Sequence, residues 1–298
     1  MLPYSGQISY GQIRSEFGAG SSFNLQDAYN GTYGGLNAYS YIQPTNPGGA
    51  NYSPNQWYGY TGQWIVTSGL ILNYDAWPTV GSYPGFGTSV TNVAGGFPPY
   101  DGTLYNGTGW DSLNGGRWIL DGVDDYIGAN PGPNPLNEFT VEIWIRASQQ
   151  LWAIGAGAGQ STFNSDDWGN SNMWLIHPNG TAPTVSFSFY VNANPPGSYN
   201  IIAATTSTNL AVQNWWQIVG TYSSTATKIY VNGTLSGTAA GGNGIINNPS
   251  NTLVLGGDPR YDFRRLTGNI AAFHMYDREL SAGEVDQNWN AIRGRFGL

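Results

Sequence analysis

The sequence predicts an all-β protein, and three observations carry that expectation. Glycine and aromatic residues abound, with 43 Gly, 20 Tyr and 12 Trp in 298 residues. Aromatics suit strands and glycines suit the turns between them. Several stretches alternate apolar and polar residues with a period of two, as a half-buried antiparallel strand requires. Finally, Asn232-Gly233 separates two short strand-like runs, a pair that favours the φ > 0 turn of a hairpin.

Taken in order, residues 1–62 differ from the rest of the chain. In ISYGQIRSEFG, Ser9 and Gln12 have capping-box spacing, Ile13 and Phe17 share a face, and Gly18 can stop the helix. A second short helix is expected from Asn24, ending at Asn30-Gly31. Both are too short to be stable alone. Tyr41 to Tyr60, with Pro44, Pro47, Gly48, Gly49 and Pro54, reads as extended loop. Such a segment is expected to dock on another subunit or protein through Ile8, Ile13, Phe17, Leu25 and Tyr29. The other reading is that it drapes over the rest of the chain. The expected organisation is a docking segment, 1–62, and a β domain, 63–298.

Within the β domain, TVEIWIRA puts Val141, Ile143 and Ile145 on one face and Glu142, Trp144 and Arg146 on the other. The second face is expected to meet solvent, with Glu142 hydrogen-bonded there or paired with Arg146. TVSFSFYVN repeats the alternation, with Val185, Phe187, Phe189 and Val191 inward. GAGAGQ at 155–160 lacks the Lys-Ser/Thr ending of a phosphate loop and reads as a tight turn. Ser281 and Glu284 form a capping box, and Val285, Trp289 and Ile292 then line one face of a short C-terminal helix expected to lie on the β domain. The Asn-x-Ser/Thr triplets at Asn30, Asn51, Asn106, Asn179 and Asn232 read as turn residues.

DGVDDY at Asp121, FTVEIWIRAS at Phe139, WWQIVGTY at Trp215, KIYVNG at Lys228 and LTGNIAAFHMYDRELSAGEV at Leu266 follow one another. In this order the blocks resemble the concanavalin A-like, laminin-G-type family. That resemblance implies an antiparallel jelly-roll β-sandwich, a fold that binds sugars or partner surfaces and catalyses in only some relatives. SGQISYGQIRSEFG, NLQDAY and QWYGY resemble a recurrent opening of tailed-bacteriophage virion proteins. IVTSGLILNYDA and GTLYNGTGWDSLNGGRWILDGVDDYI resemble the phage version of the laminin-G start. This second resemblance implies a particle component whose partners are other virion proteins.

Composition narrows the function classes. Only 9% of residues are charged, Lys228 is the single lysine, and the formal net charge is −8. Nucleic-acid binding needs clustered cations, and that balance excludes it as an expectation. Arg260, Arg264 and Arg265, with Asp258 and Asp262 between and beside them, read as a salt-bridged loop. There is no cysteine, hence neither a disulfide framework nor a thiolate site. The N-terminus has neither a basic n-region nor an apolar core, so no signal peptide is expected, and no run reaches membrane-spanning length. A neutral, hydrogen-bonding surface without an export signal fits release by lysis as part of a virus particle.

No catalytic residue is assigned. Hydrolysis of a glycosidic bond needs two carboxylates flanking it. Relatives that cleave sugars carry Glu-x-Asp-x-x-Glu on one strand, whereas here Glu142 is followed by Trp144 and Ala147. The other glutamates, Glu16, Glu138, Glu279 and Glu284, sit at element ends. His177 and His274 lie in strand-like sequence and read as partly buried, hydrogen-bonded residues. For a Ca²⁺ ion, which takes six to eight hard oxygens, the NSDDWGN loop offers Asn164, Asp166 and Asp167 beside Asn170. Asp124 with Asp125, and Asp258 with Asp262, are further candidates, while all these residues are also common turn formers. Sugar recognition needs an aromatic face with amides and acids around it. Trp168 with Asp166, Asp167 and Asn170 fits best, followed by Trp174, with Trp152 and Tyr199 beside other loops.

The expectation is a virion fibre, tail or capsid appendage, trimeric or otherwise homo-oligomeric, attaching to host-surface polysaccharide. An architectural decoration module and a glycan hydrolase are the alternatives.

Overall fold

The computed structural model describes residues 12–13, 65–94, 100–129, 132, 138–148, 155–159, 173–178, 184–193, 198–241, 251–258 and 261–298. The chain divides into two compact units, Met1–Val66 with Asp286–Leu298, and Thr67–Val285.

The larger unit is an antiparallel β-sandwich of two eight-stranded sheets. The first contains β1 (Leu70–Asp75), β4 (Gly109–Asp111), β5 (Arg117–Asp121), β7 (Phe139–Ala147), β12 (Trp216–Tyr222), β13 (Ala226–Val231), β14 (Thr234–Ala240) and β18 (Thr267–Tyr276). The second contains β2 (Ser89–Val90), β3 (Gly102–Tyr105), β6 (Tyr126–Ala129), β8 (Gly155–Gly159), β9 (Met173–Pro178), β10 (Val185–Ala193), β11 (Ser198–Thr205) and β15 (Asn251–Leu255). A small ribbon, β16 (Gly257–Asp258) and β17 (Tyr261–Arg265), accompanies them. In the first sheet the order is β14-β13-β12-β7-β18-β5-β4, with β1 also on β18. In the second it is β11-β10-β9-β8-β15-β6-β3-β2.

Period-two patterning builds the core. Val141, Ile143 and Ile145 of β7 join Leu104 of β3, Trp118 and Leu120 of β5, Ile127 of β6 and Phe273 and Met275 of β18 in one buried cluster. Trp174 of β9 stacks on Phe273 across the two sheets, with ring centroids 6.1 Å apart.

Both faces of β7 are buried, which corrects the expectation of a solvent-facing side. Glu142 and Trp144 are fully enclosed, and within this strand only Arg146 is partly exposed. Arg146 Nε donates to the Gln213 carbonyl and not to Glu142. GAGAG is not a turn but β8, a central strand hydrogen-bonded to β9 and β15. Backbone ladders on both sides outweigh the weak strand propensity of glycine.

The hairpin forms as expected. Asn232 and Gly233 take φ of 50° and 78°, and β13 pairs with β14 around them. Asn106 also has positive φ, consistent with its reading as a turn residue. The helix α1 (Ala282–Ile292) begins at the predicted capping box. Glu284 N–H donates to Ser281 Oγ at 3.3 Å, and Ser281 N–H donates to Glu284 Oε2 at 2.8 Å. Val285 and Ile292 are buried and Trp289 is half-buried. Within the smaller unit, Val66 N–H donates to Asn288 Oδ1 at 2.8 Å. Of the proposed docking residues, Ile8, Phe17, Leu25 and Tyr29 lie outside the described residues. Ile13 is helical and fully buried within the chain, so its side chain is not a free docking surface.

Candidate functional site

The expected sugar and calcium loop, Asn164, Asp166, Asp167, Trp168 and Asn170, lies outside the described residues, as does Trp152. Trp174 is corrected from loop to core: it sits in β9, only 2% exposed, against Phe273. Its neighbours Asn172 and Asn179 look like loop residues, but MWLIHP between them is an apolar run that pairs on both sides.

Glu142 has no acidic partner along its strand. Its Oε1 accepts from Trp144 Nε1 at 3.0 Å and from Gln217 Nε2 at 2.9 Å. Its Oε2 lies 3.6 Å from His274 Nδ1, at ion-pair distance and beyond a hydrogen bond. Glu142, Gln217 and His274 all have zero exposure. His274 is thus wholly buried, where partial burial with hydrogen bonds was expected. The cluster ties β7, β12 and β18 together and offers no open face to a substrate.

The described surface holds a different aromatic group, which the sequence reading did not single out. Leu104 and Ile127 face the core as register partners on β3 and β6, so their strand neighbours Tyr105 and Tyr126, also partners, point to the outer side. The two rings stack at 4.4 Å with an interplanar angle of 10°. Gly128, next in β6, makes room for them: a Cβ there would lie 3.1 to 3.2 Å from both rings. The Arg265 guanidinium lies 5.7 Å from the Tyr126 ring centre. Burial raises the Tyr126 phenol, Tyr105 adds to that rise, and Arg265 opposes it. Both tyrosines are partly exposed, giving an aromatic ledge with a cation at its side. The signal was present in the alternation of GTLY and DYIGA, but both strands are short and each shows only one tyrosine outward.

Beside this ledge, the end of β5 and the loop that leads to β6 carry Asp121, Asp124 and Asp125, with one carboxylate oxygen of each within 4.8 Å of the others. Asp121 Oδ1 accepts from Val123 N–H at 2.8 Å, and Asp125 Oδ2 accepts from Asp121 N–H at 3.0 Å. Asn106 Nδ2, from the β3–β4 turn, donates to the Asp124 carbonyl. Asp124 with Asp125 was an expected candidate pair, and folding brings Asp121 to join them. Asp258 lies in the β16–β17 ribbon, where its backbone pairs with Tyr261.

Residues 121–286 match a family described as the concanavalin A-like lectin/glucanases superfamily. No curated protein sequence matches the chain. Among solved structures, domain 4 of AbnA, a GH43 extracellular arabinanase from Geobacillus stearothermophilus, in complex with arabinotriose, is similar at 16% identity and a TM-score of 0.54. That match covers 74% of this chain and 97% of the other. The binding domain of botulinum neurotoxin DC, solved with SialylT and with rat synaptotagmin II, is similar at 14% identity and a TM-score of 0.52. There 76% of this chain covers 52% of the toxin chain, about half its length. At such identities the structural likeness speaks for the fold alone. With the family match spanning more than half of the sequence and an antiparallel sandwich to match, this chain belongs to the concanavalin A-like lectin/glucanases superfamily.

Proposed function

We propose that this chain is a non-catalytic, glycan-binding adhesion module carried on a tailed-phage particle. The observation that carries the glycan reading is the ledge of Tyr105, Tyr126 and Arg265 on the outer side of the second sheet. A pyranose presents a C–H face that packs on an aromatic ring, while its hydroxyls take hydrogen bonds from flanking charged and amide groups. Two similar structures were solved with arabinotriose and with SialylT, which is in keeping with a saccharide ligand here. The low charge and the N-terminal resemblance support a particle component, in homo-oligomeric form, that docks on other virion proteins and meets host polysaccharide. The burial of Glu142 supports a binding role over hydrolysis, because an acid enclosed by Trp144, Gln217 and His274 cannot reach a glycosidic oxygen.

The test is a glycan-binding screen on the full chain beside a Tyr105→Ala, Tyr126→Ala double variant. Saturable binding by the wild type, weakened at least ~10-fold in the variant, is expected from the loss of two stacking rings. Binding that survives in the variant would move the site elsewhere, and no binding at millimolar sugar would favour a purely architectural module. Released oligosaccharide from host polysaccharide would overturn the non-catalytic reading. Immunogold labelling of intact particles tests the placement on a virion.

A further inference from the structure

We infer that Phe86, on the loop that leads into β2, adds a further subsite beside the tyrosine ledge, so that the site takes an internal stretch of an extended polysaccharide and not a single terminal sugar. The inference rests on the glycan reading of the ledge and adds the length of chain that it accepts.

Position comes first. The strand order here is β6-β3-β2, with β2 at the sheet edge. Tyr126 and Tyr105 are register partners on β6 and β3. On the other side of β3, Ser89 pairs with Thr103, and the Thr88 carbonyl accepts from Leu104 N–H at 2.8 Å. Leu104 precedes Tyr105, so the chain running back from Thr88 brings Gly87 and then Phe86 alongside the ledge. A Cβ on Gly87 would meet nothing within 4 Å, so the ground beside Tyr105 is open. Neighbouring strands lie roughly 4.8 Å apart, about the length of one sugar unit in a chain. A row from Tyr126 through Tyr105 to the edge therefore suits successive units of one glycan.

The second observation concerns how Phe86 is held. It is 75% exposed, the most exposed large apolar side chain among the described residues. Single exposed apolar residues are ordinary, but this one stands on a pinned loop. At the loop's base, Thr91 N–H donates to the Ser82 carbonyl at 2.8 Å and Ser82 Oγ donates to the Thr91 carbonyl at 2.7 Å. Within it, the hydroxyl of buried Tyr83 donates to the Gly87 carbonyl at 2.7 Å. Gly85 packs so closely on Trp110 that a Cβ would lie 3.1 Å from the indole. Gly85 and Gly87 flank the ring with φ of 90° and 78°, which glycine adopts without strain. The loop is thus ordered before a ligand arrives, and that entropic cost is removed from binding.

The chemistry of the ring decides what it reads. Phe86 offers an apolar face and no hydrogen-bonding group, so it packs on the C–H face of a sugar whatever its hydroxyl pattern. Discrimination between sugars stays with the ledge and the polar groups around it, and Phe86 senses how far the chain extends. A row that runs out at the sheet edge lets a polysaccharide continue past it.

The experiment measures binding by calorimetry on the full chain, with oligosaccharides of one to six units prepared from arabinan, β-glucan and galactan. Wild type is expected to gain at least ~10-fold in affinity between one unit and three, and to level off beyond. Phe86→Ala removes an exposed side chain, so it should fold as wild type. It is expected to weaken binding by about 3- to 10-fold for three units and longer, with the loss growing with length. Leu235→Ala, which removes another exposed apolar side chain, from β14 in the other sheet, is the control. Affinity independent of length, or Phe86→Ala binding every length as wild type does, would overturn the extended platform. So would an equal loss at all lengths, or the same loss in Leu235→Ala. In each of those cases, binding that still falls in the Tyr105→Ala, Tyr126→Ala variant leaves the ledge itself as a glycan site. Wild type that binds none of these oligosaccharides overturns this inference together with the reading it rests on.

Discussion

Glu142 Oε1 holds two buried donors, Trp144 Nε1 and Gln217 Nε2, and Oε2 faces His274, with every group enclosed. The Gln217 side chain also reaches the hairpin, its Oε1 accepting from Gly233 N–H at 2.9 Å. One carboxylate thus organises three strands and a turn. Removing it strands polar groups that water cannot reach, each worth about 1–3 kcal/mol. Glu142→Ala is expected to lower stability by about 2–5 kcal/mol in denaturant unfolding. Glu142→Gln, which keeps an acceptor, should cost less than half as much. Glycan binding by both variants, measured where they remain folded, should match wild type. A loss of binding with stability intact would give Glu142 a role at the ligand. That Val141, Ile143 and Ile145 face the core was legible from their spacing. The burial of Glu142 was not, because a period of two separates the faces of a strand without saying whether the second is covered. A strand buried on both sides normally reads as continuous apolar sequence, and here a glutamate interrupts it. Trp174 misled in the opposite way, since asparagines on both sides gave a core strand the look of a loop.

Elements with a local chemical signature were the most readable. The Asn232-Gly233 turn and the Ser281/Glu284 box both stand where their residues placed them, because each motif satisfies its own backbone groups. The sequence did not show that Arg278 joins the second motif, with Nη1 and Nη2 on the two Glu284 oxygens at 3.0 and 2.6 Å. Arg278, aided by Ser281, holds the Glu284 carboxyl down from an ordinary 4.5 to about 2. A lowered acid stabilises the folded state above its unfolded pKa and loses that contribution as pH falls through the folded value. The helix start is therefore weakened between about pH 4.5 and pH 2. Glu284→Gln should cost about 1 kcal/mol at neutral pH and lose less stability than wild type across that acid window. Thermal unfolding of both proteins as a function of pH measures the difference. Parallel curves would mean that the pair contributes nothing to this limb. The acidic β5–β6 loop was half legible for a related reason: Asp124 and Asp125 are neighbours in sequence, while Asp121 joins them only through the turn between.

At the scale of the whole molecule, the order of sequence blocks announced a sandwich, but the order of strands in space had no local signal. β18 is the clearest case. It pairs along one side with β7, and along the other with β5 through Thr267–Ile270 and with β1 through Ala272–Tyr276. One C-terminal strand therefore holds an N-terminal strand of the same unit some two hundred residues away, as in Leu70 opposite Tyr276. Phe273 of that strand also carries the stack with Trp174 between the sheets. Such long-range pairing must pay its loop-closure entropy before any contact is made, so folding should be slow, in the millisecond-to-second range of all-β domains. It also means that the first sheet cannot close until β18 exists. A chain ending at Arg265 leaves β7 with an open edge and β1 and β5 without their shared partner, and it loses the apolar side chains of Ile270, Phe273 and Met275 from the core. Losing one such side chain costs about 2–5 kcal/mol, so three cost about as much as the 5–15 kcal/mol that keeps a typical domain folded, before the lost strand pairing is counted. The expected outcome is a chain with no cooperative transition in denaturant and no near-ultraviolet dichroism from its buried tryptophans. A sharp transition in the shortened chain, with the native tryptophan signal, would mean that the sandwich closes without its central strand and that the core is organised around β7 and β12 instead.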